Sequence, residues 1–478
     1  MKKNMKIGLT RLLMTVSGGF LLFLAACDVI SPRGNRNEAQ PNVVLIITDD
    51  QPLRTLENMP VVQQELAAKG IRFSNAYVTT PLCSPSRSSI LTGLYAQNTG
   101  VLTNRPGAPS FAKSNATLGV WFQQAGYRTG FMGKYLNNID VLPALSQPGW
   151  GDYQIFWNRD KTYENPSFFY GYNFNENGTI VSYGKDPTDY STDILTKKAA
   201  EFIVAAGEQP FFLTLSYYAP HYPYQSAERH LERFTTDADW QAFYSPNFVE
   251  SDRSDKPAWL QGLKATKPDY AYDSDQAMRR SMLAVDEGIG KILDLLEKRQ
   301  IRENTILIFL SDNGMSVGEH HIIGKDCPYD ECSHVPFIIS YPLLTQVARV
   351  EEKFVLNIDI APTLIELAHL KVSDPLDGRS LVPLLTDAQI DWRDQVFIEH
   401  YQDTESDDPA GLSTLIPTYW ALRSAEWKYI EYETGEVEIY DLVNDPYELQ
   451  NLALLPEYQA VLQDLAQQLQ PFRENFEK

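Results

Sequence analysis

The stretch Val43-Val-Leu-Ile-Ile47-Thr-Asp49-Asp50 sets five apolar, mostly β-branched residues directly before two carboxylates. A run without polar alternation predicts a strand covered on both faces, as in a parallel sheet. Similar runs occur at residues 129–132, 211–216, 305–310 and 337–340. Helical patterns separate several of them. Residues 274–299 place Met278, Met282, Val285, Ile289, Ile292 and Leu296 on one side, and residues 359–370 form another helix with Pro362 in its first turn. The expected class is α/β: a large mixed, mainly parallel sheet flanked by helices. Just past the strand ends stand Asp49-Asp50, Lys134, His221 and Asp312-Asn313. Open α/β sheets gather ligands at that edge, so these residues are candidates for one site.

From about residue 390 the runs shorten, to 396–398, 419–423, 428–432 and 436–440. Thr434-Gly435 is a hairpin signal, and a last helix is expected near residues 458–469. This pattern predicts a smaller C-terminal antiparallel sheet plus helix subdomain, residues 389–478, after a catalytic domain at 41–388. Residues 225–272, rich in Tyr, Trp, Asp and Ser without a clear period, are expected to form loops over the site.

The N-terminus has another character. Lys2, Lys3, Lys6 and Arg11 precede a mostly apolar run at 12–24, and Leu24-Ala-Ala-Cys27 follows. The tetrapeptide resembles a bacterial lipobox, which makes residues 1–26 a lipoprotein signal peptide, Cys27 the lipidated residue and residues 27–40 a tether. Cleavage elsewhere, or a transmembrane anchor, is the alternative, although the run is short of the roughly 20 residues a span needs. The expected location is that of an exported bacterial lipoprotein facing the periplasm or cell exterior, with Asp28 resembling an inner-membrane retention signal. Removing residues 1–26 takes away four basic and no acidic residues, and the net charge moves from −21 to −25. Such a chain has no general basic surface for nucleic acid, and its membrane contact is expected only through the lipid anchor.

Of four cysteines, Cys327 and Cys332 are left after Cys27 and Cys83. An exported compartment permits a disulfide between them, two free thiols are the alternative, and no complete zinc ligand set adjoins them.

Cys83-Ser-Pro-Ser-Arg87, followed by Ser-Ser-Ile-Leu-Thr-Gly93, adds a nucleophile. A helix starting near Pro85 puts Cys83 at its positive end and Arg87 one turn on. Asp49, Asp50, Asp312 and Asn313 form an oxygen donor set suited to Ca²⁺ or Mg²⁺, although any one pair could equally be a cap or a turn. Lys134 closes Gly-Phe-Met-Gly-Lys134, and His221, His320 and Lys325 lie in Ala-Pro-His221, Gly-Glu-His320 and Gly-Lys325.

These motifs resemble the type I sulfatases of the alkaline phosphatase superfamily over residues 41–452. The resemblance implies that Cys83 is oxidised to formylglycine by a formylglycine-generating enzyme, and that the hydrate is the nucleophile. It further implies that one calcium ion is held by Asp49, Asp50, Asp312 and Asn313 beside residue 83. Arg87 and Lys134 then stabilise the nucleophile, and His221, His320 and Lys325 hold the sulfate and the leaving oxygen. One departure is Leu136, where many members carry histidine; Gly-Lys-Tyr-Leu-Asn137 is similar instead to the glucosamine-6-sulfatase subgroup, with Asn137 the candidate replacement. The implied substrate is a sulfated carbohydrate, in that subgroup a 6-O-sulfated N-acetylglucosamine of a glycosaminoglycan. Residues 438–448 resemble the family's closing hairpin and are expected to brace the fold. The competing expectations are a phosphonate or phosphate monoester hydrolase on the same scaffold, a non-catalytic lipoprotein that binds sulfated glycans, and an inert scaffold with a dead site.

Overall fold

Each face of the first strand feeds a different hydrophobic core. In the computed structural model, which describes residues 40–143, 146–157, 167–234, 245–386, 390–403, 405 and 411–474, β1 (Asn42–Asp49) is buried at every position. Val43, Leu45 and Ile47 enter one core and Val44 and Ile46 the other. That double burial is why the run does not alternate.

The chain continues through β2 (Ile71–Tyr77), β3 (Arg128–Gly133), β4 (Asp152–Phe156), β5 (Asn173–Glu176), β6 (Thr179–Ser182), β7 (Phe211–Pro220) and β8 (Thr305–Ser311). A small ribbon, β9 (Ser316–Val317) and β10 (Ile323–Gly324), precedes β11 (Phe337–Ser340) and β12 (Arg349–Leu356). All but the ribbon form one ten-stranded sheet, ordered β12-β2-β11-β8-β1-β7-β3-β4-β5-β6. β1 runs parallel to β7 and β8, and β3 runs parallel to β7 and β4. β11 runs antiparallel to both its neighbours. The chain leaves β8 at the carboxyl edge, makes its excursion there, and re-enters from that edge, so the returning strand must reverse.

The helix Pro268–Lys298 covers one face through Met282, Val285, Ile289, Ile292 and Leu296. It begins six residues earlier than its apolar period, because Pro268 opens a polar first stretch that periodicity does not mark. Ile360–Leu367 and Cys83–Thr92 cover the other face.

A second sheet runs antiparallel through β13 (Gln395–His400), β14 (Tyr419–Ser424), β15 (Trp427–Tyr432) and β16 (Val437–Asp441). Leu465 and Leu469 of the helix Gln459–Glu474 pack on it. Within the expected loop region, 225–272, the described residues form the short helical turns Glu228–His230, Pro246–Val249 and Ala258–Gln261, and its last five residues belong to the helix Pro268–Lys298 instead. Cys327 and Cys332 form a disulfide. The expected boundary near residue 388 and the segment holding the signal peptide, Cys27 and most of the tether lie outside the described residues. Among the described residues no helix is long and apolar enough to cross a membrane.

Candidate active site

The carboxyl ends of β1, β3, β7 and β8 deliver most of the predicted side chains to one place. Asp49 ends β1, and Asp50 follows in the left-handed region at φ 63°, which bends the chain off the strand. Asp312 and Asn313 follow β8 beside it. The Asp50 N–H donates to Asp312 Oδ1 (3.1 Å), and Asn313 Nδ2 donates to Asp50 Oδ1 (2.8 Å). Lys134 follows Gly133, whose φ of 110° and close approach to the Ser216 carbonyl leave no room for a Cβ.

Cys83 starts the helix Cys83–Thr92, as the proline signal predicts, and is completely buried. Its Sγ lies 2.7 Å from Lys325 Nζ, 3.3 Å from Lys134 Nζ and 3.4 Å from Asp49 Oδ1. Ligand atoms of Asp49, Asp50, Cys83 and His221 all fall within 4.8 Å of one another. Arg87, one turn along, donates through Nε to Asp312 Oδ2 (2.7 Å) and through one terminal nitrogen to the Lys134 carbonyl (2.7 Å) and Ser216 Oγ (2.6 Å). Lys325 also reaches both oxygens of Asp50, at 2.9 and 3.1 Å.

Burial sets the electrostatics, and the partners decide each outcome. Burial opposes ionisation of Asp49, but Lys134, His221 and Arg87 together hold its carboxyl well below the usual range. At Asp312 burial prevails over Arg87 and pushes the carboxyl up to about 7. Burial likewise pushes the Cys83 thiol up despite both lysines, so the unconverted side chain is a neutral thiol and a poor nucleophile. Burial lowers His221 to about 4. Its Nδ1 sits 2.8 Å from the Tyr222 carbonyl, so in the neutral ring Nδ1 carries the proton and Nε2, 3.5 Å from Asp50, is bare.

Three carboxylates and an amide oxygen make a hard donor set. The buried Asn313 Oδ1 has no hydrogen-bond partner among the described residues, a cost that a cation would remove. The residues therefore fit a hard divalent ion such as calcium.

One predicted residue stands apart, which corrects the expectation for His320. Its Nδ1 pairs with Glu250 (2.7 Å), its Nε2 lies 3.3 Å from Asn247 Nδ2, and its ring stacks on Tyr329. With both nitrogens engaged there, it does not join the Cys83 cluster. Asn137, the candidate replacement for the histidine absent at position 136, lines a pocket with Lys134 and interlocks with Ser84: Ser84 Oγ donates to Asn137 Oδ1 (3.0 Å) and accepts its backbone N–H (2.9 Å). Leu136 is buried in the core.

Ser216 and Tyr218 were not predicted, since both sit inside an apolar strand run. Ser216 fixes Arg87, and the Tyr218 ring carries Lys134 on its face, 5.6 Å from the centroid, with His221 packed beside it at 4.6 Å. Lys134 and His221 also line an adjoining pocket of about 320 Å³, together with Asp140, Phe156, Phe168 and Tyr218.

A sulfatase domain matches residues 41–370, and the C-terminal domain of N-sulphoglucosamine sulphohydrolase matches residues 318–475. The chain belongs to the sulfatase family. Homologues of an extracellular sulfatase from Caenorhabditis elegans and Drosophila melanogaster are 34% and 31% identical over 76% of this chain, which spans 53% and 33% of their lengths. Human N-acetylglucosamine-6-sulfatase is 30% identical over 87% of the chain and 81% of its own length. A solved protein in complex with its substrate D-glucosamine-2-N,6-O-disulfate superposes with a TM-score of 0.76 at 25% identity, over 92% of this chain and 98% of that one. The fold is also that of the phosphonate monoester hydrolase of Agrobacterium radiobacter, with a TM-score of 0.71 at 22% identity over 91% and 96% of the two chains.

Proposed function

We propose that this sulfatase-family protein hydrolyses sulfate esters of a carbohydrate, with residue 83 as nucleophile after its thiol is converted to formylglycine. The observation that carries the reading is the convergence of two lysines and two carboxylates on one buried γ atom below a pocket. Conversion would supply a carbonyl hydrate, with two hydroxyls on one carbon where serine or cysteine offers a single group. Asp49, Asp50, Asp312 and Asn313 would hold one calcium ion, which supplies positive charge for a bound sulfate and for the attacking oxygen.

The chain's own residues do the rest. Lys134 and Lys325, both in contact with residue 83, meet the charge that spreads over the sulfuryl oxygens. Arg87 keeps Asp312 and the start of the helix in register through its three hydrogen bonds. The Lys325 ammonium is placed to give a proton to the leaving oxygen, whereas His221 Nε2, bare in the neutral ring, can only accept one. His320 is too fully engaged elsewhere to share that role.

The substrate class follows from the relatives. A 6-sulfated N-acetylglucosamine is favoured by the human N-acetylglucosamine-6-sulfatase and by the disulfated glucosamine bound to the solved neighbour. Export and anchoring through Cys27 are part of the same proposal, supported by the N-terminal sequence alone. Release of inorganic sulfate from defined sulfated mono- and disaccharides tests the reading. Sulfate from N-acetylglucosamine 6-sulfate is the expected result; faster turnover of an aryl phosphonate ester than of its matched sulfate would overturn it.

A further inference from the structure

The pocket beside the cluster is lined by groups of unlike charge. Lys134 and His221 are two of them, and Lys134 Nζ lies 3.3 Å from Cys83 Sγ. Asp140 lines the same pocket, on the single turn Ile139–Val141, and its carboxylate makes no hydrogen bond or ion pair among the described residues. Phe156, Phe168 and Tyr218 add an aromatic lining. Lys134 and His221 both pack on the Tyr218 ring, and Tyr218 Oη donates to the Tyr222 carbonyl (2.9 Å), so Tyr218 is already committed.

Phe168 is different. Its backbone sits at φ 51°, disfavoured for a bulky L-residue. The flanking turn holds it there: Ser167 Oγ accepts the N–H groups of Phe169 (3.3 Å) and Tyr170 (3.2 Å) and donates to Gln225 Oε1 (2.7 Å). The ring packs edge-on against Tyr218 (5.2 Å) and close to Phe156 (5.0 Å), and remains half-buried on the pocket wall. A pyranose has an apolar C–H face and a polar rim, and such a face rests well on an aromatic ring.

We infer that this pocket is a subsite for one sugar ring, seated on Phe168, in which Asp140 disfavours a second sulfate on that ring. The inference rests on the proposed carbohydrate sulfatase activity and names its selectivity. A sugar with one sulfate directs its only anion to Lys134. A further sulfate on the ring would face an unpaired carboxylate, whereas a hydroxyl or amide N–H could donate to it.

The test compares kcat and KM of the full-length, matured enzyme on N-acetylglucosamine 6-sulfate, D-glucosamine-2-N,6-O-disulfate and p-nitrophenyl sulfate. Phe168→Ala should raise KM for N-acetylglucosamine 6-sulfate roughly tenfold, with kcat changed by less than about twofold. Inhibition by inorganic sulfate, which cannot reach Phe168, should be unchanged, and Phe168→Tyr should restore KM. If Phe168→Ala does not fold, Phe168→Leu, which keeps bulk without the aromatic face, carries the same expectation. Asp140→Asn should lower the preference for the monosulfate over the disulfate roughly tenfold. An unchanged KM in the Phe168 variants, or a wild type that prefers the disulfate, would overturn the assignment. A wild type that cleaves p-nitrophenyl sulfate but neither sugar would overturn the subsite alone; one that cleaves none of the three would remove the proposed activity as well.

Discussion

Two buried charge networks can be set side by side, one at the sheet edge around Cys83 and one between the two sheets around Lys428. In the second, Asp330 accepts from Tyr77 Oη (3.1 Å), Lys428 (2.6 Å) and Arg423 (3.2 Å). Glu448 meets Lys428 at 2.5 Å and accepts the Asp330 N–H at 3.1 Å. Glu438 nearby takes hydroxyls from Tyr329, Tyr432 and Tyr440. The edge network sets three carboxylates among three cations, gathers two of the cations on the Cys83 sulfur and leaves Asn313 Oδ1 without a hydrogen-bond partner among the described residues. Buried charge alone therefore does not mark a site. What separates the two is what stands at the centre: a cysteine that opens a helix in one, and a lysine shared by two carboxylates in the other.

The comparison can be broken most sharply at residue 83. Cys83→Ala should lower kcat/KM for a sulfate ester by at least about 10³-fold while leaving the melting temperature nearly unchanged. Asp312→Ala should cost about 10²–10³-fold in activity, since it frees Arg87 and removes one donor. In the same variant the rise in melting temperature on adding calcium should vanish, as measured by scanning fluorimetry. Lys428→Met inverts the pattern. Leaving Asp330 and Glu448 without their shared cation should cost about 3–5 kcal/mol in denaturant unfolding, with activity per folded molecule retained. The mildest effect is a slope. Glu399 is buried beside Tyr401 without an ion-pair partner among the described residues, and burial pushes its carboxyl from the usual 4.5 up to about 8. Between those values the unfolded chain gives up a proton that the native chain keeps. Stability should thus fall as pH rises through that window, by at most about 1.4 kcal/mol per pH unit, and Glu399→Gln should flatten the decline. A proton there serves where a cation serves Asp330, which refines the contrast.

Much of this architecture was legible because the doubly covered strands announce themselves. Val43–Ile47 could be read from composition alone, and Asp49-Asp50 from its place at the strand end. Positions whose partners come from elsewhere were not legible. His320 is captured by Glu250 and Asn247, both in a stretch with no period to reveal that they point inward. Ser216 reads as one more buried strand residue until Arg87 is seen to need its hydroxyl. The direction of β11 depends on the edge from which the chain returns, which a four-residue apolar run does not encode. Asp140 and Phe168 carry no motif at all; only the shared pocket joins them.

With Cys327 and Cys332 tied to each other, Cys83 is the only free thiol among the described residues. A denatured but unreduced sample, trimmed of everything before Gln40, should take up an alkylating reagent only where residue 83 has escaped conversion. The labelled fraction is then an internal gauge of how completely a preparation has matured, and specific activities could be corrected with it molecule for molecule.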